Sequence, residues 1–234
     1  MKKAIFFDLD GTLLSLNVKE FMNVYLGTLC NKFNELGYDK DFIKNAILNG
    51  IKAIIYNDGN LSNEDIFWLS FEKETNIKKD EVIVQLNEYY KLEFKKAKIA
   101  SNVFEEVNEI IVLLKEKGYL LILATNPLFP KLATYQRIEW AGLNINDFNL
   151  VTTYENSFYA KPNPLYFKDI LNKLNLNINE VLMVGNNQVE DGAFTLLNGD
   201  LAIITNELEN PNHEVKSVFK GTLKEFIDYI KVNL

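Results

Sequence analysis

The chain holds one cysteine, Cys30, and one histidine, His213, in 234 residues. A lone cysteine cannot form an intrachain disulfide or a thiolate metal cluster. Cys30 sits in a helical pattern, where a small buried residue is its expected role. A lone histidine excludes a histidine-built metal site within one chain. A Ser-His-Asp triad would have to use His213, which lies in a polar loop with no partner pattern and reads as a surface residue. Long apolar runs are missing too. The longest, "YLLILAT", is strand-sized, far short of the ~20 residues that span a bilayer. Lys2 and Lys3 precede Ala4-Ile5-Phe6-Phe7, but Asp8 and Asp10 interrupt that run before it reaches the length of a signal peptide's apolar segment. A cytoplasmic protein is expected. Positive charge is also in deficit. The formal net charge of −7 argues against nucleic acid or an anionic membrane as the main partner, though not against a small anionic substrate. There is no internal repeat and no low-complexity tract. Asparagine is plentiful but scattered, and reads as composition rather than device.

What is present is an ordinary globular composition, 47% hydrophobic and 24% charged, with ample material for a core. Residues 3–7 read as a short strand buried on both faces. From about 17 to 98 the apolar residues recur at three- and four-residue spacing in four successive stretches, which predicts four helices and no strand. Ser62-Asn63-Glu64 resembles a helix start, and Gly37 and Gly59 resemble stops. Beyond residue 103 the pattern alternates. A helix ends at Gly118, then come strand "YLLILAT", a helix at 129–141, a short strand near 148–152 and a helix at 164–174. Strand "EVLMVG", a helix beginning near Val189, strand "LAIIT" and a helix at 222–231 follow. Apolar strands alternating with amphipathic helices predict a doubly wound parallel α/β sheet with helices on both faces. The segment 205–216 reads as a surface loop. The predicted division is a core of 1–15 and 101–234, with an all-helical insert of 16–100.

In such a sheet, ligands bind outside the carboxyl ends of the strands. The first strand ends at Asp8, with Asp10, Gly11 and Thr12 behind it. "LLILAT" ends at Thr125 and Asn126. "LMVG" ends at Asn186 and Asn187, with Asp191 beyond. Lys161, in "AKPNP", lies on the loop before a helix. Four polar clusters from separate parts of the chain therefore fall at one edge of the inferred sheet.

These four stretches, "FDLDGTLL", "LATN", "KPNP" and "VGNNQVED", resemble in order the motifs of the haloacid dehalogenase-like hydrolase superfamily. The resemblance covers the whole chain, since residues 15–100 fall where that family often places a helical cap. It implies a Rossmann-like core and, for most phosphate-handling members, phosphatase activity. Asp8 would be the nucleophile, and Asp10 would protonate the leaving oxygen and then activate water. Gly11 would let the backbone pass close to phosphate. Thr125 and the loop at Asn126 would donate to phosphoryl oxygens, and Lys161 would balance charge and hold Asp8. Two aspartates this close, facing a dianionic ester, need a hard cation. Magnesium is the implied cofactor, with Asp8, Asp10, Asn186 and Asp191 as its ligands.

The sequence departs from the family pattern at Asn186, where an acid usually follows the glycine. The change removes one formal charge from the ligand set, and whether Asn186 or Asp191 touches the metal stays open. Dehalogenase-type members lack an acid at the position of Asp10, so Asp10 argues against carbon–halogen cleavage. Phosphonate-cleaving members use an insert lysine. Lys52 is available, but a solvated helix face suits it better. The aromatics of the insert (Tyr25, Phe67, Trp68, Phe71, Tyr89, Tyr90) read first as packing, with a few left to line a lid over substrate. The expected function is magnesium-dependent hydrolysis of a small phosphorylated metabolite. The alternatives are a phosphotransferase or mutase using the same aspartyl phosphate, and a non-catalytic phospholigand- or partner-binding protein. Nothing in the sequence fixes the oligomeric state.

Overall fold

The computed structural model describes residues 2–234. The six strands β1 (Ala4–Phe7), β4 (Leu120–Leu123), β5 (Leu150–Val151), β6 (Val181–Gly185), β7 (Asp200–Ile204) and β8 (Phe219–Gly221) form one sheet in the order β5-β4-β1-β6-β7-β8. Every pairing in it is parallel. The period of two sorts the strand residues onto two faces. Ile5, Phe7, Leu121, Leu123, Leu182 and Val184 join one buried cluster, which includes α5 (Val107–Glu116) and α8 (Leu223–Asn233). Ala4, Phe6, Ile122, Met183, Leu201 and Ile203 join the other, against α7 (Pro164–Leu174) and Phe194. Apolar residues on both faces of a strand are what two helical layers require. β1 lies between β4 and β6, so the chain leaves it in opposite directions across the sheet, and a crevice opens at its carboxyl end.

A second, two-stranded ribbon lies outside the sheet. β2 (Leu14–Leu16) pairs antiparallel with β3 (Ser101–Val103), Leu16 opposite Ser101. Neither strand is visible in the residue pattern, because three residues are too few to display a period. Between them run α1 (Val18–Glu35), α2 (Lys40–Ile55), α3 (Asn63–Thr75) and α4 (Lys79–Leu92). The fourth predicted helix is interrupted: after Leu92 the chain tightens into a 3-10 helix, Glu93–Ala100. The tighter turn brings Phe94 onto Trp140 of α6 (Lys131–Trp140), ring centroids 5.2 Å apart. The four inserted helices fit a cap.

The scattered asparagines have a use. Asn17 and Asn163 cap helix N-termini with their side chains. Asn76, Asn175 and Asn198 take left-handed backbone at C-termini, with φ of 58°, 52° and 60°. The helix expected near Val189 is instead a turn followed by a short 3-10 helix, Gly192–Leu197. The Asn187 side chain accepts the N–H groups of Val189 and Glu190 at 3.0 Å each, which satisfies the turn locally. Among the described residues no helix is long and apolar enough to cross a membrane.

Candidate active site

Asp8 follows β1 directly, and its N–H still bonds Val184 O at 2.9 Å, so the sheet fixes its backbone. Lys161 lies at the loop before α7, where Asn163 caps the helix and Pro164 occupies its first turn. The Lys161 side chain is fully buried, and its ammonium donates to Asp8 Oδ1 at 2.8 Å and Asp191 Oδ1 at 2.7 Å. Burial alone would lower the lysine's pKa. Asp191 and Asp8 outweigh it and hold the ammonium above its usual range. Burial also lifts the Asp191 carboxyl, with Lys161 pulling against it.

Asp10 is anchored by a different cation. Arg137, on α6 and almost fully buried, pairs with Asp10 Oδ2. The guanidinium lies over the Phe129 ring, 4.5 Å from its centroid. Burial raises the Asp10 carboxyl, Arg137 opposes this, and Asp8 adds to it. The Oδ1 atom of Asp10 is buried without a hydrogen-bond partner. Each aspartate thus has one oxygen held by a buried cation and a second oxygen outside that pair.

The turn after β1 is tight: Leu9 O accepts from the N–H groups of Thr12, Leu13 and Leu14. Gly11 sits at φ +79°, and a Cβ there would come within 2.1 Å of Asn186 Nδ2. Glycine is required here by both conformation and space. Asn186 accepts from Thr12 Oγ1 at 3.2 Å and donates to Glu207 O at 2.7 Å. Asp191 is fully buried, one oxygen on Lys161 and the other accepting Asn187 N–H at 3.0 Å. The side chains of Asn186 and Asp191 are therefore both engaged with protein groups. Thr125 is buried at the end of β4, its carbonyl accepting from Thr152 and Tyr166 hydroxyls at 2.7 and 2.9 Å. Asn126 brackets the Lys161 loop, accepting Lys161 N–H at 3.2 Å and donating to Glu190 at 2.9 Å.

Asp8, Asp10, Thr125, Asn126, Asn186, Glu190 and Glu209 line one cavity of about 200 Å³. Glu190 is pushed up to about 7 by burial and by the neighbouring Asp191 and Asp8. Glu209 is raised by burial and by Asp8. No three acidic, histidine or cysteine side chains converge into a ready metal cage among the described residues.

Two site residues were missed from the sequence. Arg137 carried a signal: it is the only arginine in the chain, every other fixed cation being a lysine. Glu209 lies in the segment expected to be a plain surface loop. That loop leaves the carboxyl end of β7 and returns to the site, with Glu209 N–H on Asn186 O at 3.0 Å. Its neighbour Glu207 accepts Leu16 N–H at 3.0 Å and so ties the loop to β2. The rule that directed attention to the other strand ends applies equally to β7.

A doubly wound parallel sheet with polar groups gathered outside the carboxyl end of its first strand defines an α/β enzyme class. Residues 2–194 match the model of the haloacid dehalogenase-like hydrolase family. The chain belongs to that family. A search of curated sequences found no match. Among solved structures it resembles a HAD phosphatase from Thermococcus onnurineus, 22% identical with TM-score 0.60 and 97% of each chain covered. It also resembles the HAD-hydrolase YfnB from Bacillus subtilis bound to magnesium, 17% identical, TM-score 0.57, 99% of each covered. A third is the L-2-haloacid dehalogenase from Xanthobacter autotrophicus with chloropropionic acid covalently bound, 13% identical, TM-score 0.59, 100% of each covered. At these identities the likeness speaks for the fold alone.

Proposed function

We propose that this hydrolase is a magnesium-dependent phosphatase of small phosphorylated metabolites that works through an aspartyl phosphate. The observation that carries the reading is the pair Asp8 and Asp10 at the tip of β1, each tethered at one oxygen by its own buried cation. Lys161 on Oδ1 leaves Asp8 Oδ2 as the attacking atom. As its bond to phosphorus forms, the bond from phosphorus to the leaving oxygen breaks, and Asp10 gives that oxygen a proton. Asp10 then takes a proton from water. The water oxygen bonds phosphorus, the acyl phosphate bond breaks, and Asp8 is regenerated. Thr125, together with N–H groups of the loop around Asn126, supplies donors for the phosphoryl oxygens.

The residues fit a hard divalent ion. Several carboxylates face one cavity, an Asp10 oxygen lacks a partner, and all available donors are oxygens or amides. The absence of a closed cage suits magnesium, which keeps several waters and takes one or two carboxylates. Asp8 would hold it through its carboxylate and Asp10 through its backbone carbonyl, which leaves the Asp10 carboxyl for proton transfer, with Asn186 and Asp191 the further ligands the family pattern implies. Both of those side chains would have to release present partners to ligate directly, so water-bridged contact suits them better. When bound, the ion would offset the repulsion between carboxylate and dianionic ester. The four inserted helices would act as the domain that screens the leaving group, dividing the chain at 15/16 and 100/101. A cytoplasmic site of action belongs to the same reading.

The test is hydrolysis of a chromogenic phosphate ester with and without magnesium, by wild type and Asp8→Asn. Activity should need both the metal and Asp8. Turnover that survives Asp8→Asn undiminished, or that ignores a chelator, overturns the assignment.

A further inference from the structure

A second cavity, of about 220 Å³, opens among the inserted helices and is closed below by the loop that follows β4. Its walls include Tyr25, Phe33, Phe67, Trp68, Phe71 and Tyr90. It shares two wall residues, Ile51 and Leu128, with the cavity that holds Asp8 and Asp10. Leu128 lies two residues after Asn126, so one short loop serves both spaces. Of the insert aromatics read first as packing, Tyr89 is interior, while Tyr25, Phe67, Trp68, Phe71 and Tyr90 border an open space.

The size of that space is informative. Native interiors hold few voids larger than a water molecule, and a cavity of about 150 Å³ with apolar walls admits benzene. The polar groups are equally informative. Lys79, the one cation in its walls among the described residues, is paired with Glu64 at 2.7 Å. Glu155 accepts Lys131 N–H. No unpaired cation is left there for a second phosphate or a carboxylate. The Trp68 indole N–H is buried without a hydrogen-bond partner of ordinary geometry, with the Tyr154 hydroxyl the polar group beside it.

We propose that this aromatic chamber receives the leaving group of the phosphoryl substrate, and that the leaving group is an aromatic or cyclic hydrocarbon alcohol with no charge of its own. The inference rests on the phosphatase reading and narrows it. Sugar phosphates would set several hydroxyls against walls that are mostly aromatic and aliphatic, where Asn87, the Trp68 N–H and the Tyr154 hydroxyl are too few to answer them all. Nucleotides and phosphoglycolate-like acids would bring a second anion to a wall whose net charge is negative.

The experiment has an activity arm and a binding arm. In the first, kcat/KM is compared for 1-naphthyl phosphate, a hexose phosphate and phosphoglycolate. The naphthyl ester should lead by at least tenfold. In the second, Asp8→Asn protein is titrated calorimetrically with 1-naphthol, which has no phosphate. Saturable binding with a negative heat-capacity change is expected. Ile83→Trp, which fills the chamber from a half-buried wall of α4, should weaken that binding tenfold or more. If that variant does not fold, competition of 1-naphthol against 1-naphthyl phosphate on wild type serves instead, and should be competitive. A flat naphthol titration alongside good hexose phosphate turnover overturns the chamber assignment and leaves the phosphatase reading standing. Naphthol binding with no hydrolysis of any ester overturns the phosphatase reading, and with it the leaving-group role.

Discussion

The carboxyl edge of the sheet and the interior of the helical insert are both buried, yet they are buried by opposite means. At the sheet edge Asp8, Asp191 and Lys161 lie close together at 8%, 0% and 1% exposure, so full charges have been taken out of water and paired. Inside the insert the fully buried polar groups are neutral hydroxyls and amides: Tyr25 meets Tyr90 at 3.0 Å, Thr28 meets Tyr89 at 2.9 Å, and Asn57 donates to Asn63 Oδ1 at 2.9 Å. The one ion pair of the chamber wall, Lys79–Glu64, is partly solvated. Burial pushes Tyr25 up to about 12, so its hydroxyl stays protonated at neutral pH. Charges held in place cost desolvation but fix geometry and field. Rings and hydroxyls cost less and offer only shape. The contrast separates the part that would act on a phosphoryl group from the part that would select what is attached to it.

The largest effect should come from breaking a charge pair at the edge. Lys161→Met leaves Asp8 and Asp191 buried and repelling, which costs about 3–5 kcal/mol and should abolish turnover. The matched change in the insert, Lys79→Met, breaks a pair that is partly solvated, and should cost no more than about 1 kcal/mol. Urea unfolding of both variants reads the difference directly. Equal losses would mean that the two ion pairs carry equal weight and that the contrast is false.

Arg137 sharpens the same contrast at the level of rate. It holds one oxygen of Asp10 while resting on Phe129, so Arg137→Leu should lower kcat by roughly 10- to 100-fold, a part of the ~10²–10⁴-fold that a full acid–base contribution supplies. Arg137→Lys should recover only part of this, because an ammonium cannot reproduce a planar fork stacked on a ring. Full recovery with lysine would reduce Arg137 to a point charge. A loss confined to KM would place it in binding rather than in positioning Asp10.

The two regions also differ in how far they can be read from sequence. Five of the six core strands are legible as short apolar segments alternating with amphipathic helices, whereas β8, three half-exposed residues, shows no period; Asp8, Thr125 and Asn186 follow from their places at strand ends, and Lys161 from the motif its loop resembles. Arg137 is not, since a residue in mid-helix carries no local sign that its partner is 127 positions away. Glu209 is hidden by polar neighbours that look like any loop. In the insert, helix existence is clear from the 3.6 period and Ser62 marks a true N-terminus, its hydroxyl accepting Asp65 N–H at 3.0 Å. The break at Leu92 and the chamber are not legible, because periodicity says which side faces inward but not whether the inward side is full.

A smaller effect tests the neutral network. Tyr25→Phe removes the hydroxyl that meets Tyr90 and leaves the ring stacked on Phe21, centroids 5.9 Å apart. A net hydrogen bond of this kind contributes about 1 kcal/mol. Thermal unfolding should report that loss with kcat for a small ester retained, whereas a collapse of both would tie the insert's hydroxyls to the chemistry.

The smallest effect lies at the opposite end of the sheet, where β6 begins. Glu180 meets Lys3 at 2.5 Å and accepts the N–H of Asn177 at 2.9 Å. These contacts, Lys3 first, draw its carboxyl down from 4.5 to about 2. A depressed carboxyl stabilises the fold above its unfolded value and loses that contribution as pH falls toward the folded one. Glu180→Gln should therefore lie slightly below wild type in stability at pH 7, and the two curves should converge between about pH 4.5 and 2. The gap should also shrink in high salt, since the pair is open to solvent. A gap that widened on acidification would mean that Glu180 is held by something other than these contacts, and that charge at this end of the sheet is bound as firmly as charge at the site.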